Sequence, residues 1–266
     1  MTTINPKTFI ARLSACRDYF AKIYSVSDLI DQVLFADLAI SQKRLPSKLD
    51  KLELTDKMLQ QIKDLIAEQI TSGMSQKEID AKVHPAQELD WLLTNFRQYL
   101  IERYGMYAYI SKDWAADLLK YLDGRPALEL MAGKGYLTYA VRNLDENYPI
   151  IATDNYDWSS RQEELKPVTK VVRMDALAAI DYYSKKGQAI IMSWPPQNSI
   201  SDWLIVNYLR QQHFYEKGGE LILIGEKNGV TGSSQFWKKA ETKEIYFLNH
   251  NWSNFDIVKD QVFTVS

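Results

Sequence analysis

Between residues 126 and 226 the chain runs through short apolar stretches: ALEL, PIIATD, KVVRMD, AIIMSWPP and GGELILIGE. Each is too short for a helix, and helical or loop-like stretches separate them, which is the grammar of parallel βαβ units with right-handed crossovers. The first run continues as residues 127–138, ALELMAGKGYLT, passing through two glycines into a helical pattern. Strand, glycine turn and helix in that order form the place where a doubly wound α/β sheet binds a nucleotide-like ligand. Gly133 and Gly135 lack a Cβ, so the turn can take positive φ and let a ligand lie against the backbone. A helix starting near Tyr136 presents N-terminal N–H groups that favour an anion, such as a ligand carboxylate.

The chain changes character near residue 105, predicting domains over 1–105 and 106–266. Before that point Phe9, Leu13, Cys16, Phe20 and Ile23 recur at helical spacing. Ile30, Val33, Leu34 and Leu38 repeat the pattern after a cap at Ser27, and Leu59, Ile62, Leu65, Ile66 and Ile70 do so between Thr55 and Gly73. Ser75 and Glu78 have capping-box spacing for a short fourth helix, and a fifth is expected after Pro85, ending at Gly105. The first domain therefore reads as all-helical. A further helix from Ser111 stops at Gly124 and Pro126, directly before the first strand. At the far end, EIYFLNHNW and DQVFTVS read as two β-rich runs too close for a helical crossover, hence an antiparallel hairpin on the sheet edge.

Composition narrows the function classes. The net charge is −2, with 32 Lys and Arg against 34 Asp and Glu, so neither half is a basic module and no strong nucleic-acid signal is present. Lys43, Arg44, Lys48 and Lys51 flank Pro46 and read as a solvated loop. Cys16 is the one cysteine, which excludes an intrachain disulfide and fits a reducing compartment. The N-terminus lacks the uninterrupted apolar core of a signal peptide, and no stretch of about 18 apolar residues predicts a membrane span. The expected location is the cytoplasm. His84, His213 and His250 share no metal-ligand spacing, so no metal is expected.

The order of elements and the residues at the strand ends resemble a class I S-adenosylmethionine-dependent methyltransferase over about residues 107–266. That family's first strand ends in an acid and a turn of the form E-x-G-x-G-x-G. Here Glu129, Leu130, Met131, Ala132, Gly133, Lys134 and Gly135 match it, with Met131 in place of the first glycine. The resemblance implies an α/β fold: a doubly wound, mostly parallel seven-stranded sheet with a terminal antiparallel hairpin, preceded here by the helical N-terminal domain. It also implies S-adenosyl-L-methionine as cofactor. Its site would draw on Glu129, Met131, Ala132, Gly133, Gly135, Tyr136 and Leu137 at the first turn. Asp154, with Asn155, would hold the ribose hydroxyls after the second strand, and Asp175 would accept from the adenine amino group beside Met174 and Ala176. Strand ends are also helix beginnings, so each aspartate alternatively reads as a helix cap.

The fourth strand ends in Ser193, Trp194, Pro195, Pro196 and Gln197, similar to the (Asp/Asn/Ser)-Pro-Pro-(aromatic) motif of methyltransferases that act on amino groups. Trp194 occupies the polar position and Gln197 the aromatic one, so the amine-holding role is not carried over. Ser193 and Trp194 remain expected at the cofactor edge, and Ser193, Trp194, Pro195 and Gln197 on the acceptor side; the double proline equally reads as a device that stiffens the loop. Tyr104, Tyr107 and Tyr109 read either as a cover or as linker packing, and Glu226 as a substrate contact or an ordinary strand-end residue.

The expectation is thus methyl transfer to an unidentified acceptor, with the helical domain covering or selecting it. In-line attack on a sulfonium methyl needs positioning more than acid–base groups. One alternative is a non-catalytic cofactor- or protein-binding module of the same fold. The other is a nicotinamide-dependent oxidoreductase, against which Thr138 stands where G-x-G-x-x-G requires glycine.

Overall fold

A computed structural model describes residues 4–157, 165–183 and 187–266. The chain forms two compact units, Met1–Tyr104 and Gly105–Ser266.

Every regular element described in the first unit is a helix. Helix α1 (Pro6–Tyr19) starts with proline, whose missing N–H is no loss there, and Asn5 caps it by accepting from the Lys7 N–H. Phe9, Leu13 and Cys16 face inward as their spacing predicts, and the Phe9 ring stacks on Tyr99 with centroids 4.4 Å apart. Helix α2 (Tyr24–Ser41) begins three residues before the expected cap. Ser27 lies inside its first turn, buried, with its hydroxyl donating to the Phe20 and Ile23 carbonyls, so it anchors the preceding turn instead of capping. Leu38, Leu59 and Ile70, expected on inner faces, are substantially exposed. Helix α3 (Asp56–Gln69) is capped by Thr55.

Helix α4 (Gln76–Thr94) corrects the expected pair of helices, because it runs unbroken through Pro85. The Ser75–Glu78 capping box starts it as the spacing predicts. Proline denies the preceding turn one hydrogen bond, and α1 braces the stretch: the Tyr19 hydroxyl donates to the Lys82 carbonyl and the Cys16 thiol to that of Pro85. Helix α5 (Phe96–Tyr104) follows after Asn95. Asp37 of α2 receives the hydroxyls of Tyr99 and Tyr104, both at 2.6 Å, which ties α5 to α2.

The second unit opens with α6 (Lys112–Leu122), capped by Ser111. The sheet then alternates with helices: β1 (Ala127–Leu130), α7 (Tyr136–Leu144), β2 (Ile150–Asp154), β3 (Val171–Arg173), α8 (Ala176–Tyr183), β4 (Ala189–Ser193), α9 (Ser201–Gln211), β5 (Glu220–Glu226), α10 (Ser234–Lys239), β6 (Thr242–Glu244), α11 (Tyr246–His250) and β7 (Asp260–Val265). The seven strands lie in the order β3-β2-β1-β4-β5-β7-β6. Strands β1 to β5 pair in parallel, and β7 pairs antiparallel with β5 and β6. This is the doubly wound, seven-stranded α/β architecture with a terminal antiparallel pair that the resemblance implies. The pair is not closed by a tight turn: EIYFLNHNW contributes only its first residue to β6, and most of the rest coils as α11. Tyr246, in α11, is 76% exposed, and tertiary context overrides its β propensity.

β1 and β4 are buried on both faces, as parallel strands under helices must be. Each fully buried Leu or Ile contributes roughly 1.5–3 kcal/mol. Among the described residues no helix is long and apolar enough to cross a membrane.

Candidate functional site

The strand order reverses between β1 and β4, and in open α/β sheets the crevice beyond the carboxyl ends of strands at such a point receives ligands. The glycine turn, Asp154 and the Ser193–Trp194 corner meet at that end of the sheet.

The turn after β1 is held from several sides. The Ala132 N–H donates to the Thr153 carbonyl at 3.0 Å and the Gly133 N–H to Asp154 Oδ2 at 2.7 Å, so β2 carries the turn of β1. Asp154 Oδ1 accepts from the Tyr156 N–H, also at 2.7 Å, and the side chain is buried. Met131, where the family has glycine, adopts φ 58°. A methionine therefore takes the left-handed conformation that glycine takes freely, while its side chain packs against the core cluster around Leu128 and Leu130. A Cβ added to Gly133 (φ 54°) would meet nothing within 4 Å, whereas one on Gly135 (φ 79°) would lie 2.8 Å from Thr169 and Val171. Gly135 lets the turn close against the β3 edge. Gly133 lines open space, a cradle that an added Cβ would enter. The Lys134 ammonium donates to the Leu165 carbonyl.

Glu129 does not line the surface. It is 1% exposed, and its Oε2 accepts from the Thr138 N–H at 3.0 Å and the Thr138 hydroxyl at 2.5 Å. Ser193 donates to Oε1 at 3.4 Å. The carboxylate thus caps α7 from the neighbouring strand and ties it to β4. Burial pushes its pKa up to about 7, against the Thr138 and Ser193 hydrogen bonds that pull it down; the Asp154 charge pushes in the same direction as burial.

Two further residues at this edge hold positive φ: Tyr156 at 58° and Trp194 at 45°. With Met131, three bulky residues in the left-handed region follow the three adjacent strands β1, β2 and β4. Such backbone strain costs of order 1–3 kcal/mol per residue and clusters at ligand sites. Tyr156 was not a sequence candidate, and no local signal marks a tyrosine as left-handed. In the sequence Thr138 stands only as the residue where G-x-G-x-x-G requires glycine.

The remaining candidates are placed as follows. Tyr136 is half-buried and Leu137 buried, at the first turn of α7. Asn155 is exposed and accepts from the Asp157 N–H at 3.0 Å. Asp175, exposed, accepts from the Leu177 N–H at 2.9 Å, the capping arrangement, and Met174 and Ala176 pack against the core. The Trp194 N–H donates to the Ile224 carbonyl, and its indole Nε1 is buried with no hydrogen-bond partner among the described residues. Its ring lies 5.7 Å from that of Trp252. The Pro195 carbonyl accepts from the Gly232 N–H, and Gln197 donates to the Gly229 carbonyl at 2.9 Å, which joins the β4 and β5 loops. Glu226 is taken up within the protein, accepting from the Val230 N–H of the β5 loop and the Lys259 N–H ahead of β7, at 2.9 Å each. Tyr104 belongs to the Asp37 cluster, Tyr107 is exposed, and Tyr109 is buried against Phe255.

The chain matches no protein-family model and no curated protein. Among solved structures it is similar to the 23S rRNA methyltransferase ErmE, at 16% identity over 59% of this chain and 68% of that one, with a TM-score of 0.34. It is also similar to a chain of the Pnkp1/Rnl/Hen1 RNA repair complex, at 12% identity over 90% of this chain and 60% of that one, with a TM-score of 0.32. Both superpositions are loose, and the fold assignment rests on the sheet order and strand directions.

Proposed function

We propose that residues 105–266 bind S-adenosyl-L-methionine at the glycine turn and transfer its methyl group to an acceptor, with the helical unit covering or selecting that acceptor. The observation that carries the reading is the Gly133–Asp154 hydrogen bond, in a turn where Met131 keeps a glycine conformation. The strand-end acid thereby fixes the backbone over which an adenosyl ligand would lie, and its carboxylate would accept from a ribose diol. Asp175, at the end of β3, is the accepting group for the adenine edge, and the first turn of α7 receives the ligand's carboxylate. When bound, the cofactor supplies an electrophilic sulfonium methyl; the C–S bond breaks as the bond to the acceptor forms, leaving a thioether. Positioning supplies most of such a rate enhancement, so the residues at this edge need to align the acceptor and exclude water.

A second reading, a non-catalytic cofactor- or protein-binding module, draws on a specific observation: Ser193 is turned to Glu129 and Gln197 to the Gly229 carbonyl, so the polar groups of SWPPQ are engaged within the protein. The oxidoreductase reading loses ground, because Thr138 is spent on Glu129.

Titration of the chain and of Asp154→Ala with S-adenosyl-L-homocysteine tests the leading reading. The variant should bind at least about tenfold more weakly, the loss of about 1.4 kcal/mol, with an unchanged far-ultraviolet spectrum. Equal affinities would contradict it.

A further inference from the structure

The corner that follows β4 has an imbalance of hydrogen-bonding groups. Its acceptors are occupied: the Pro195 carbonyl receives the Gly232 N–H at 2.8 Å, the Pro196 carbonyl the Ser199 N–H at 3.3 Å, and the Glu226 carboxylate the Val230 and Lys259 N–H groups. The Ser193 hydroxyl donates to Glu129, and the Gln197 amide to the Gly229 carbonyl. One donor is left over. The Trp194 indole Nε1 is buried and has no hydrogen-bond partner among the described residues, although the residue as a whole is part-exposed. A buried polar group without a partner is rare in folded proteins and calls for an explanation. Trp114 shows how such a group can be satisfied nearby. Its Nε1 also lacks a conventional partner, but its ring stands edge-on to Trp252, at 88° with centroids 4.7 Å apart, the arrangement in which an indole N–H meets a π face. Trp194 is tilted only 36° to that same ring at 5.7 Å, so its in-plane N–H is not aimed at the face. Trp194 also holds φ 45°, a strained state for a bulky residue. Two costs therefore fall on one side chain at the β4 end of the crevice.

Resting on the methyl-transfer reading, we propose that Trp194 binds the methyl acceptor: its indole N–H turns from its enclosed position to take a carbonyl oxygen of the molecule to be methylated. The side of the crevice follows from the sheet order. β1, β2 and β3, with the glycine turn, Asp154 and Asp175, lie on one flank of β4. Trp194 is anchored on the other flank, where its backbone N–H donates to Ile224 of β5 and its ring lies by Trp252, ahead of β7. The ligand group must supply a lone pair, because the carbonyls of the corner already receive N–H groups. A neutral oxygen fits better than an anion, since Glu226 and Asp260 stand opposite each other in the β5–β7 register at the same end of the sheet. An amine that offers only donors leaves the indole as unsatisfied as before. The part-exposed ring adds a flat apolar surface beside the donor, which suits a planar amide or lactam. Selection of this kind is strong, because a molecule lacking the matching group leaves a buried group unpaired.

The test is nuclear magnetic resonance of the full chain with isotopically labelled indole nitrogens, saturated with S-adenosyl-L-homocysteine. It is titrated in turn with benzamide and with benzylamine, which share a ring and differ in carbonyl against amine. The chain has seven tryptophans, and the Trp194 resonance is identified by its absence in Trp194→Phe or by its proximity to the Trp252 ring. Benzamide should move the Trp194 indole proton downfield in a saturable way, as a new hydrogen bond does, and benzylamine should not. Trp194→Phe, which keeps a ring and lacks the donor, should weaken benzamide binding by about two- to tenfold. A Trp194 signal that ignores benzamide, or that responds alike to both probes, would overturn the proposal in the native chain whether or not the variant folds, as would equal benzamide affinity in a folded Trp194→Phe. Failure of S-adenosyl-L-homocysteine to bind would instead overturn the site reading beneath it.

Discussion

The Gly133 N–H and Asp154 Oδ2, 21 residues apart in the chain, lie 2.7 Å apart, and through this bond the second strand sets the shape of the turn that follows the first. The other oxygen of the same carboxylate orders Tyr156. One buried acid thus orders the turns that follow both β1 and β2. Asp154→Asn keeps one acceptor and removes the charge. It should lower stability by about 1.5–3 kcal/mol, the range for hydrogen bonds to a charged group, read as a lower urea midpoint with an unchanged slope.

Gly133 and Gly135 should separate stability from binding. Alanine at 135 meets both the φ penalty and the Thr169 and Val171 methyls, whereas alanine at 133 meets only the φ penalty. Gly135→Ala should therefore cost about 1–2 kcal/mol more in chemical denaturation. Gly133→Ala should cost more in adenosyl-ligand affinity, because its Cβ enters the open cradle. The reverse order in either measurement would contradict this account of the turn.

Met131 provides a test of backbone strain. Met131→Gly removes a left-handed penalty of about 1 kcal/mol and forfeits partly buried packing, so the net change should stay within about 1 kcal/mol. Met131→Ile places a β-branched residue in the same conformation and should destabilise by about 2 kcal/mol or more. Thermal midpoints of the two variants check the ordering.

Glu129 should leave a signature in the pH dependence of stability. Its pKa of about 7 in the folded chain lies above the ordinary value of 4.5, so the folded state holds the proton more tightly than the unfolded one. Its contribution is complete below pH 4.5 and is lost as pH rises through 7. Glu129→Gln, which cannot ionise, should therefore gain on the native chain between pH 5 and pH 8, by up to about 3 kcal/mol at 1.36 kcal/mol per unit. Urea titrations at the two pH values measure this. A difference that does not change with pH would show that Glu129 is not held protonated.

Asp37 should matter in the helical unit. It accepts the hydroxyls of Tyr99 and Tyr104, and Asp37→Ala leaves both without that acceptor, at a cost of about 2–3 kcal/mol. The unfolding transition of the variant reports it.

The parallel strands were legible because each is a short Ile, Val or Leu run enclosed on both faces, and the order of elements then implied the sheet. What escaped was set by tertiary context. Pro85 sits inside α4, where α1 satisfies nearby carbonyls. Ser27 looks like a cap by composition and is a buried donor to carbonyls. Tyr246 and Phe247 have strand-like chemistry yet belong to α11. At the site, residue types at the strand ends were readable and their backbone states were not. Nothing in the letters Met, Tyr and Trp announces positive φ, because the surrounding hydrogen bonds impose it. Nor does the sequence say that Glu129 points into the protein, since a strand alternates its faces and only the position of α7 decides what covers each one.

The most direct measurement is isothermal titration of the full chain with S-adenosyl-L-methionine, S-adenosyl-L-homocysteine, NAD and NADP under identical conditions. Saturable one-to-one binding of the two adenosyl ligands, with none of the dinucleotides, is the predicted result. Silence with both adenosyl ligands, or preferential binding of a dinucleotide, would contradict the account.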